Sequence, residues 1–340
     1  MATHLFLAST PFNMLTAAMV AFDLPDQDQA ILGLIDQPSQ QRPFVDALMA
    51  WQESPFTCIR LLSNQAKGKQ KRRIRQQAFS NIDQLLQSVS PDQVYTGNDR
   101  RIEFQYTMHK SESSVGVYLD DGTYSYLGGK NHWLKDRLFD NLVKKLAYGL
   151  WWKQPPTIGG SDWIQQTVLA FPDAAFSGLK TKQSRVLPQN LGRPEFVSLA
   201  RISINNAAIG EQDLLALDAL LLLPHESVTN PAIRQRLTYW LAERGGRIAF
   251  KHHPRTPLTS DDGDKKAWGL PEAAIQVPAG IPMEVLLPLV KKDCQLAGDV
   301  STALLTAKWL RPELDVTAYC ADDTARAWID LLHRLEIQTA

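Results

Sequence analysis

The sequence is poor in the features that mark several large classes of protein. It holds three cysteines among 340 residues, and this odd, widely spaced set predicts reduced thiols rather than a disulfide framework. No apolar run approaches the roughly 18 residues needed to span a bilayer. Lys and Arg together number 36, as do Asp and Glu, so the net charge is zero and a dedicated nucleic-acid-binding role is disfavoured.

The start of the chain lacks the features of a secretion signal. Its first four residues lead directly into a short strand-like run, without the basic start and long apolar core of a signal peptide. We therefore expect a cytoplasmic protein. The segment from Lys135 to Trp152 mixes basic and aromatic residues at helical spacing, as interfacial helices do. Peripheral contact with the inner face of the membrane stays open beside ordinary core packing.

Several catalytic signatures are also missing. The chain has no Walker loop, no Gly-x-Gly-x-x-Gly, no zinc-ligand spacing and no Gly-x-Ser-x-Gly elbow. The acidic clusters at 261–264 and 322–323 are interpreted as a surface loop and a helix cap. We expect no metal site and no cofactor besides the substrates.

Apolar runs of strand length alternate with helical patterns in both halves of the chain. The runs are Leu5–Ala8, Ile31–Ile35, Phe56–Leu62, Gln93–Thr96 and Val115–Leu119, and then Leu217–Leu223, Arg247–Phe250, Cys294–Ala297 and Leu314–Tyr319. Strands that alternate with helices need crossover connections, which make a parallel sheet. The pattern predicts an α/β protein with two Rossmann-like domains.

The predicted domains are residues 1–205 and 206–320, followed by a C-terminal helix over 321–340. We expect Asp322 to cap that helix, which could return to the first domain. The stretch from 154 to 201 shows no clear period and is expected to be irregular.

Two adjacent carboxylates follow the strand that ends at Leu119. Asp120-Asp121-Gly122 is good turn chemistry, since Gly supplies positive φ and Asp accepts hydrogen bonds from the backbone. The same residues lie where open α/β sheets bind ligands, at the carboxyl ends of the strands. Adjacent carboxylates repel, which raises a pKa and suits a general base.

A cluster of basic groups follows a strand in the second half. Lys251, His252, His253 and Arg255 surround Pro254, whose ring forces an extended conformation on the residue before it. Four groups that are or can become cationic at one strand end predict an anion site, suited to a diphosphate or phosphodiester leaving group.

Two helix starts in the second half carry polar side chains that suit a nucleotide. Ser301 and Thr302 precede a helix over Ala303–Leu310, where a hydroxyl is expected to cap the helix and the N-terminal N–H groups attract phosphate. Glu284 is either a first-turn acid favoured by the helix dipole or a carboxylate that accepts hydrogen bonds from ribose hydroxyls.

A basic run from Lys67 to Arg75 stands out in a neutral chain. It is interpreted as a solvated helix face. Contact with an anionic acceptor glycan or an anionic membrane leaflet is the alternative.

The motifs together resemble those of the bacterial GT-B sialyltransferases, the group that contains capsule polysialyltransferases and lipooligosaccharide sialyltransferases. The resemblance runs through both halves, in the order Leu7–Asn13, Tyr95–Arg100, Asp120–Gly122, Lys251–Pro254, Pro282–Glu284 and Ser301–Thr302. It leaves residues 154–209 uncovered. It implies a GT-B fold, in which two Rossmann-like domains with parallel sheets face each other across a cleft.

The resemblance also implies an inverting, metal-independent transfer of a sialic acid from a CMP-activated donor to a hydroxyl of a capsule or lipooligosaccharide. Asp120, or else Asp121, would be the general base, and His253 would protonate or stabilise the departing CMP. The donor-binding residues would be Lys251, Pro254, Glu284, Ser301 and Thr302. The residues that meet the sugar or the acceptor would be Thr10, Pro11, Asn13, Gly97, Asn98 and Gly122.

Other functions stay open at this point. The donor could be CMP-Kdo or another CMP-nonulosonate. A CDP-glycerol or CDP-ribitol phosphotransferase is the second interpretation. A non-catalytic protein that binds nucleotide sugars is the third.

Overall fold

The structure, a computed structural model, describes residues 1–38, 42–65, 68–112, 114–128, 140–224, 230–253 and 261–340, without the side chains at 69, 140, 147 and 261–264. Its contacts divide the chain into two compact units. Unit 1 comprises Met1–Ser39 and Ser54–Asn190, and unit 2 comprises Gln40–Glu53 and Leu191–Ala340. Each unit contains a parallel sheet, so the predicted α/β class with two such sheets is confirmed.

Among its described residues, unit 1 forms a seven-stranded sheet. The strands are β1 (Thr3–Ala8), β2 (Gln29–Leu34), β3 (Cys58–Leu61), β4 (Gln93–Thr96), β5 (Val115–Leu119), β6 (Ile164–Leu169) and β7 (Gln183–Val186). Its helices are α1 (Pro11–Ala21), α3 (Lys71–Ser88), α4 (Ile102–Lys110), α5 (Thr123–Leu127) and α6 (Asp140–Tyr148). The strand order β3-β2-β1-β4-β5-β6-β7 reverses direction between β1 and β4. Open α/β sheets bind ligands beside such a reversal, outside the carboxyl ends of the strands.

The central strands of unit 1 are apolar because helices and loops cover them. Leu5, Phe6, Tyr95 and Val117 are fully buried, and the rings of Phe6 and Tyr95 stack with centroids 4.2 Å apart. Truncating a side chain buried in this way costs about 2–5 kcal/mol. The strand ends are therefore fixed points from which the loops project.

Unit 2 contains the second sheet. Its strands are β8 (Ala219–Leu222), β9 (Ile248–Lys251), β10 (Ile275–Val277), β11 (Gln295–Asp299), β12 (Asp315–Tyr319) and β13 (Gln338–Thr339). Its helices are α2 (Arg42–Ala50), α7 (Pro194–Asn206), α8 (Glu211–Leu215), α9 (Pro231–Ala242), α10 (Asp261–Trp268), α11 (Met283–Leu286), α12 (Thr302–Leu310) and α13 (Arg326–Arg334). The described strands follow the order β10-β9-β8-β11-β12-β13, which reverses between β8 and β11.

The units divide differently from the predicted domains. The change of unit falls after Asn190 rather than at residue 205, because α7 packs within unit 2. The segment that holds α2 also belongs to unit 2. Trp51 Nε1 donates to the Glu195 carbonyl at 3.0 Å, and the Trp51 ring lies against Phe196. A contact between residues so far apart in sequence left no trace in the periodicity.

The C-terminal segment also differs from its prediction. It belongs to unit 2, where β13 pairs with β12 and the Cys320 N–H donates to the Ala340 carbonyl at 3.0 Å. The last helix begins at Arg326 with Ala325 at its N-cap, so the predicted cap at Asp322 is wrong. That this helix could return to the first domain stays a prediction.

The stretch expected to be irregular contains β6, β7 and the start of α7. All four residues of β7 are exposed at the sheet edge, so the strand shows no apolar alternation. Gln165 and Gln166 interrupt β6 in the same way. Apolar periodicity does not detect strands at a sheet edge whose residues are polar.

The three cysteines are free, as predicted. Within the described ranges, no helix is long and apolar enough to cross a bilayer.

Candidate functional site

The turn after β5 is organised by Asp120. Its Oδ1 accepts from the Gly122 N–H and the Ser125 hydroxyl, both at 2.8 Å. Its Oδ2 accepts from the Tyr126 hydroxyl and, at 2.9 Å, from the Ala170 N–H. Each carboxylate oxygen thus holds two donors. Burial raises the pKa of Asp120 and these hydrogen bonds oppose the rise.

Gly122 lets the chain make this turn. Its φ of 76° and ψ of −131° lie in a region that side chains with a Cβ rarely adopt. The residue occupies the N-cap position of α5 and directs its N–H back to Asp120. The predicted turn is therefore present, and Gly122 contributes to it through its positive φ and its backbone N–H.

Asp121 has a different environment from its neighbour. It is half-buried, and its Oδ1 accepts from Asn13 Nδ2 at 3.0 Å. Burial raises the pKa of Asp121 to about 7, with a further rise from the Asp120 charge and opposing effects from the Asn13 amide and the Arg101 charge. A carboxyl that titrates near neutral pH can accept a proton from a hydroxyl and release it again.

The loop after β1 positions Asn13. Thr10 is the N-cap of α1 and accepts the Asn13 N–H on its Oγ1 at 3.2 Å, while Pro11 occupies the first turn. The side chain of Asn13 is 1% exposed, so its amide is fixed toward Asp121. Thr10 and Pro11 thus place this amide, and their contact with the sugar or the acceptor stays a prediction.

Gly97 makes room for the same amide. A Cβ at this position would lie 2.1 Å from Asn13 Nδ2. The neighbouring Asn98 is half-buried and accepts the Arg100 N–H on its Oδ1 at 3.0 Å, which shapes the turn after β4. The predicted residues of β1, β4 and β5 therefore meet at Asn13, Gly97 and Asp121.

Asp99 is a residue that the sequence reading left without a role. It is fully buried and accepts from the Gly159 N–H at 2.9 Å and the Ser161 N–H at 2.8 Å. It ties the end of β4 to the loop before β6. Its position two residues after the predicted strand-end glycine, Gly97, was a usable signal.

In unit 2, the ammonium of Lys251 is engaged by backbone. It ends β9, is 6% exposed, and donates from Nζ to the Pro278 carbonyl at 3.0 Å and the Ala279 carbonyl at 3.4 Å. Burial lowers the pKa of Lys251 to about 8, and the Glu284 charge opposes that shift. Lys251 therefore fixes the loop after β10 and supplies positive charge to this edge of the sheet.

Glu284 is buried near that charge. It is 7% exposed, and its Oε1 accepts from the Thr306 hydroxyl at 2.8 Å. Burial raises the pKa of Glu284, opposed by hydrogen bonds and by Lys251. Both carboxylate oxygens can accept further donors, as a ribose-binding group requires.

The hydroxyl of Ser301 does not play its expected part. Ser301 occupies the N-cap position of α12, yet its side chain makes no cap hydrogen bond. Its Oγ is buried and has no hydrogen-bond partner anywhere in the described ranges. Thr302 begins the helix, whose first N–H groups point toward the same end. The predicted cap is therefore wrong, and a hydroxyl is left for another acceptor or donor.

The histidine motif lies at the same sheet edge as Ser301. His253 follows β9 and is half-buried, and His252 is buried with its ring edge-on to Phe250, centroids 5.6 Å apart. Pro254 and Arg255 lie outside the described residues. Asp299, which the sequence reading passed over, ends β11 and has its pKa raised to about 6 by burial.

Groups of side chains suited to a metal ion are absent from the part of the chain that the structure describes. The cluster at 261–264, interpreted as a surface loop, begins α10 instead, and its side chains lie outside the description.

The chain was compared with known proteins. No family model and no curated protein sequence matches it. Solved structures do match over nearly the whole chain. A sialyltransferase from Photobacterium damselae, residues 113–497 corresponding to its GT-B domain, is 11% identical with a TM-score of 0.53, over 99% of this chain and 98% of that chain. The chain has the GT-B fold.

Enzymes of another activity share this GT-B fold. A UDP-GlcNAc 2-epimerase from Neisseria meningitidis is 10% identical with a TM-score of 0.58, over 99% of this chain and 87% of that chain. A putative UDP-N-acetylglucosamine 2-epimerase from Listeria monocytogenes is 10% identical with a TM-score of 0.55, over 99% and 83%. At these identities the likeness establishes the fold, and function has to be argued from the site.

Proposed function

We propose that the protein is an inverting glycosyltransferase that moves a sialic acid, or a related nonulosonic acid, from a CMP-activated donor to a hydroxyl of a bacterial surface glycan. Unit 1 supplies the base and meets the acceptor, and unit 2 binds the donor. The reaction uses no cofactor besides the CMP-sugar, as the motif resemblance implies. The acceptor is a capsule polysaccharide or a lipooligosaccharide.

The observation that carries the proposal is the division of labour between Asp120 and Asp121. Asp120 holds two donors on each oxygen and has no lone pair directed at a substrate. Asp121 accepts one side-chain hydrogen bond, from Asn13, and its pKa lies near 7. We therefore assign the base to Asp121, and Asp120 becomes a positioning residue.

The groups of unit 2 suit an anionic leaving group. Ser301 offers a buried hydroxyl without a partner among the described residues, at the start of α12. A helix N-terminus binds phosphate through its first N–H groups. Lys251 holds the loop after β10 in place and adds positive charge at this edge of the sheet. The Glu284 carboxylate accepts hydrogen bonds from the cytidine ribose.

The proposed step is a single displacement. The acceptor hydroxyl transfers its proton to Asp121 while its oxygen forms a bond to the anomeric carbon. The bond from that carbon to the phosphate oxygen breaks, and CMP departs with the electron pair. His253 donates a proton or a hydrogen bond to the departing phosphate oxygen. Attack opposite the leaving group inverts the anomeric configuration.

The reaction is placed in the cytoplasm, at or near the inner membrane where surface glycans are built. Leu142 and Leu146 of α6 are 59% and 80% exposed, and Leu150 just after the helix is 88% exposed, which suits peripheral contact with a lipid surface. The acceptor can then be lipid-linked.

Titration of the protein with CMP, CDP, UMP, UDP and GMP tests the donor assignment. We expect CMP to bind at least tenfold more tightly than the uridine and guanosine nucleotides. A His253→Ala variant should bind CMP several-fold more weakly, and an exposed Arg326→Ala variant should bind it as the native protein does. Equal affinity for all five nucleotides would overturn the donor assignment.

Product analysis separates the remaining functions. Transfer from CMP-Neu5Ac or CMP-Kdo leaves free CMP and a product without phosphorus. A CDP-glycerol or CDP-ribitol phosphotransferase instead leaves a phosphodiester in the product, which ³¹P NMR detects. Preference for UDP-sugars with loss of configuration at the sugar C2 would favour the epimerase activity found among proteins of similar fold.

A further inference from the structure

Unit 1 contains a cavity that takes no part in the proposed reaction step. It has a volume of about 400 Å³. It is lined by residues that follow β2, β3 and β4 and by residues of α3, α4 and α6. Its cations are Lys71, Arg75, Arg100, Arg101 and Lys144, and its acids are Asp36 and Glu103.

The two acids of the cavity are already engaged. Asp36 forms an ion pair with Arg101. Glu103 is 6% exposed and accepts from the Ser63 hydroxyl at 2.9 Å, and burial raises its pKa. Among the residues that the structure describes, five cations line the cavity beside two acids.

Lys71 and Arg75 carry this excess. Neither makes an ion pair or a hydrogen bond with any residue in the described ranges. The Arg75 guanidinium lies over the Tyr148 ring, 5.0 Å from its centroid. Partial burial lowers the pKa of Arg75, and the charges of Glu103 and Asp36 oppose that shift without forming an ion pair with it. A half-buried guanidinium that faces a cavity is stabilised most by an anion, and its planar donors match carboxylate and phosphate oxygens.

The cavity lies close to the proposed base. Arg101 lines it, and the charge of Arg101 reaches Asp121 strongly enough to lower the pKa of that carboxyl. The loop after β4, which carries Arg100 and Arg101, also carries Gly97 beside Asn13. A molecule whose hydroxyl meets Asp121 can therefore place a second group toward the cavity.

We propose that this cavity binds a carboxylate or phosphate group carried by the acceptor saccharide, so that the acceptor is an acidic glycan. The assignment of the ligand as acceptor rests on the proposed function. The anion site itself rests on Lys71, Arg75 and the charge of the cavity. Of the basic run noted in the sequence, Lys71 and Arg75 line the site, whereas Arg72 and Arg73 are exposed outside it.

The test is a calorimetric titration without donor, using saccharides matched in all but charge. The pairs are lactose with 3′-sialyllactose, and galactose with galactose 6-phosphate. We expect the acidic member of each pair to bind at least tenfold more tightly, and a Lys71→Gln/Arg75→Gln variant to lose that preference. An Arg72→Gln/Arg73→Gln variant on the same helix should bind as the native protein does. Urea unfolding of each variant establishes that it is folded.

Four results would overturn the proposal. The first is equal affinity for acidic and neutral saccharides, and the second is native affinity in the Lys71→Gln/Arg75→Gln variant. The third is inorganic phosphate binding as tightly as galactose 6-phosphate, which would leave the saccharide unrecognised. The fourth is binding to phosphatidylglycerol vesicles, but not to the soluble saccharides, that depends on Lys71 and Arg75. That result would assign the cavity to a lipid headgroup.

The same samples separate this proposal from the proposed function. Selective CMP binding without a preference for acidic saccharides would remove the cavity assignment and leave the transferase. A charge-dependent saccharide site in a protein that binds no CMP would leave the anion site and remove the transferase.

Discussion

The carboxyl-end edges of the two sheets handle buried charge in opposite ways. In unit 2, Lys251 donates to two carbonyls and Glu284 accepts from Thr306, while the Ser301 hydroxyl has no partner among the described residues. In unit 1, hydrogen bonds saturate Asp120, while Asp121 keeps a pKa near 7. In the proposed function, the edge in unit 2 receives an anion and the edge in unit 1 moves a proton. A transferase with an anionic leaving group needs both.

The largest expected effect concerns Asp120. An Asp120→Asn change replaces one oxygen by an NH₂ group that faces two donors, so we expect a loss of about 3 kcal/mol in the free energy of unfolding. Urea denaturation measures it. An Asp26→Asn change at an exposed site of the same unit should stay within about 0.5 kcal/mol of the native value. Native stability of the Asp120→Asn protein would remove the positioning role.

Asp121 should behave in the opposite way. Its folded pKa is raised to about 7, so the folded state binds a proton more tightly than the unfolded state between about pH 4 and pH 7. The contribution of Asp121 to stability is therefore lost as the pH rises through 7.

An Asp121→Asn protein does not incur this loss. The difference in the free energy of unfolding between the variant and the native protein can reach about 4 kcal/mol at high pH. We expect about 2 kcal/mol because the Asp121 side chain keeps part of its hydration. Unfolding curves at pH 8 should show the variant as the more stable protein, and the difference should shrink toward pH 4. A variant that is less stable than the native protein at pH 8 would contradict the raised pKa.

Asn13 should set the pH dependence of the rate. Its amide lowers the pKa of Asp121, so an Asn13→Ala change should move the ascending limb of kcat/KM to higher pH by about one unit. The limb of the native enzyme should lie near pH 7, since the base acts when ionised. An Asn98→Ala change should leave the limb in place. If the native and Asn13→Ala enzymes have the same ascending limb, Asn13 does not set the pKa of the base.

The smallest effect separates two kinds of helix start in unit 2. Ser301 makes no cap bond, whereas Asn230 caps α9 through its Oδ1, which accepts the Ala232 N–H at 2.8 Å. We expect Asn230→Ala to lose about 1 kcal/mol of stability with unchanged CMP affinity. Ser301→Ala should keep its stability and bind CMP about threefold more weakly. A loss of stability with unchanged CMP affinity in Ser301→Ala would instead indicate that Ser301 caps the helix.

Much of the fold follows from local sequence. The bounds of β4 and β5 agree with the predicted apolar runs, because buried parallel strands are continuous apolar runs. The short β10 and β13, and the polar β7, were missed. Their residues carry too few apolar side chains to set a period, and their pairing partners decide their conformation.

The site follows from sequence only as a set of positions. The motifs placed Asn13, Gly97 and Asp121 at strand ends, and the structure brings them together. The choice between Asp120 and Asp121 depends on Ala170, 50 residues away from Asp120, and on Asn13, 108 residues away from Asp121. Partners at such separations leave no local signal.

Incubation of native and Asp121→Asn proteins with CMP-Neu5Ac and a panel of bacterial glycans tests the central claim most directly. We expect the native protein to transfer the sugar with inversion. The variant should bind CMP with native affinity and transfer about 10²–10⁴-fold more slowly. Native transfer rates in the Asp121→Asn protein would show that Asp121 is not the base.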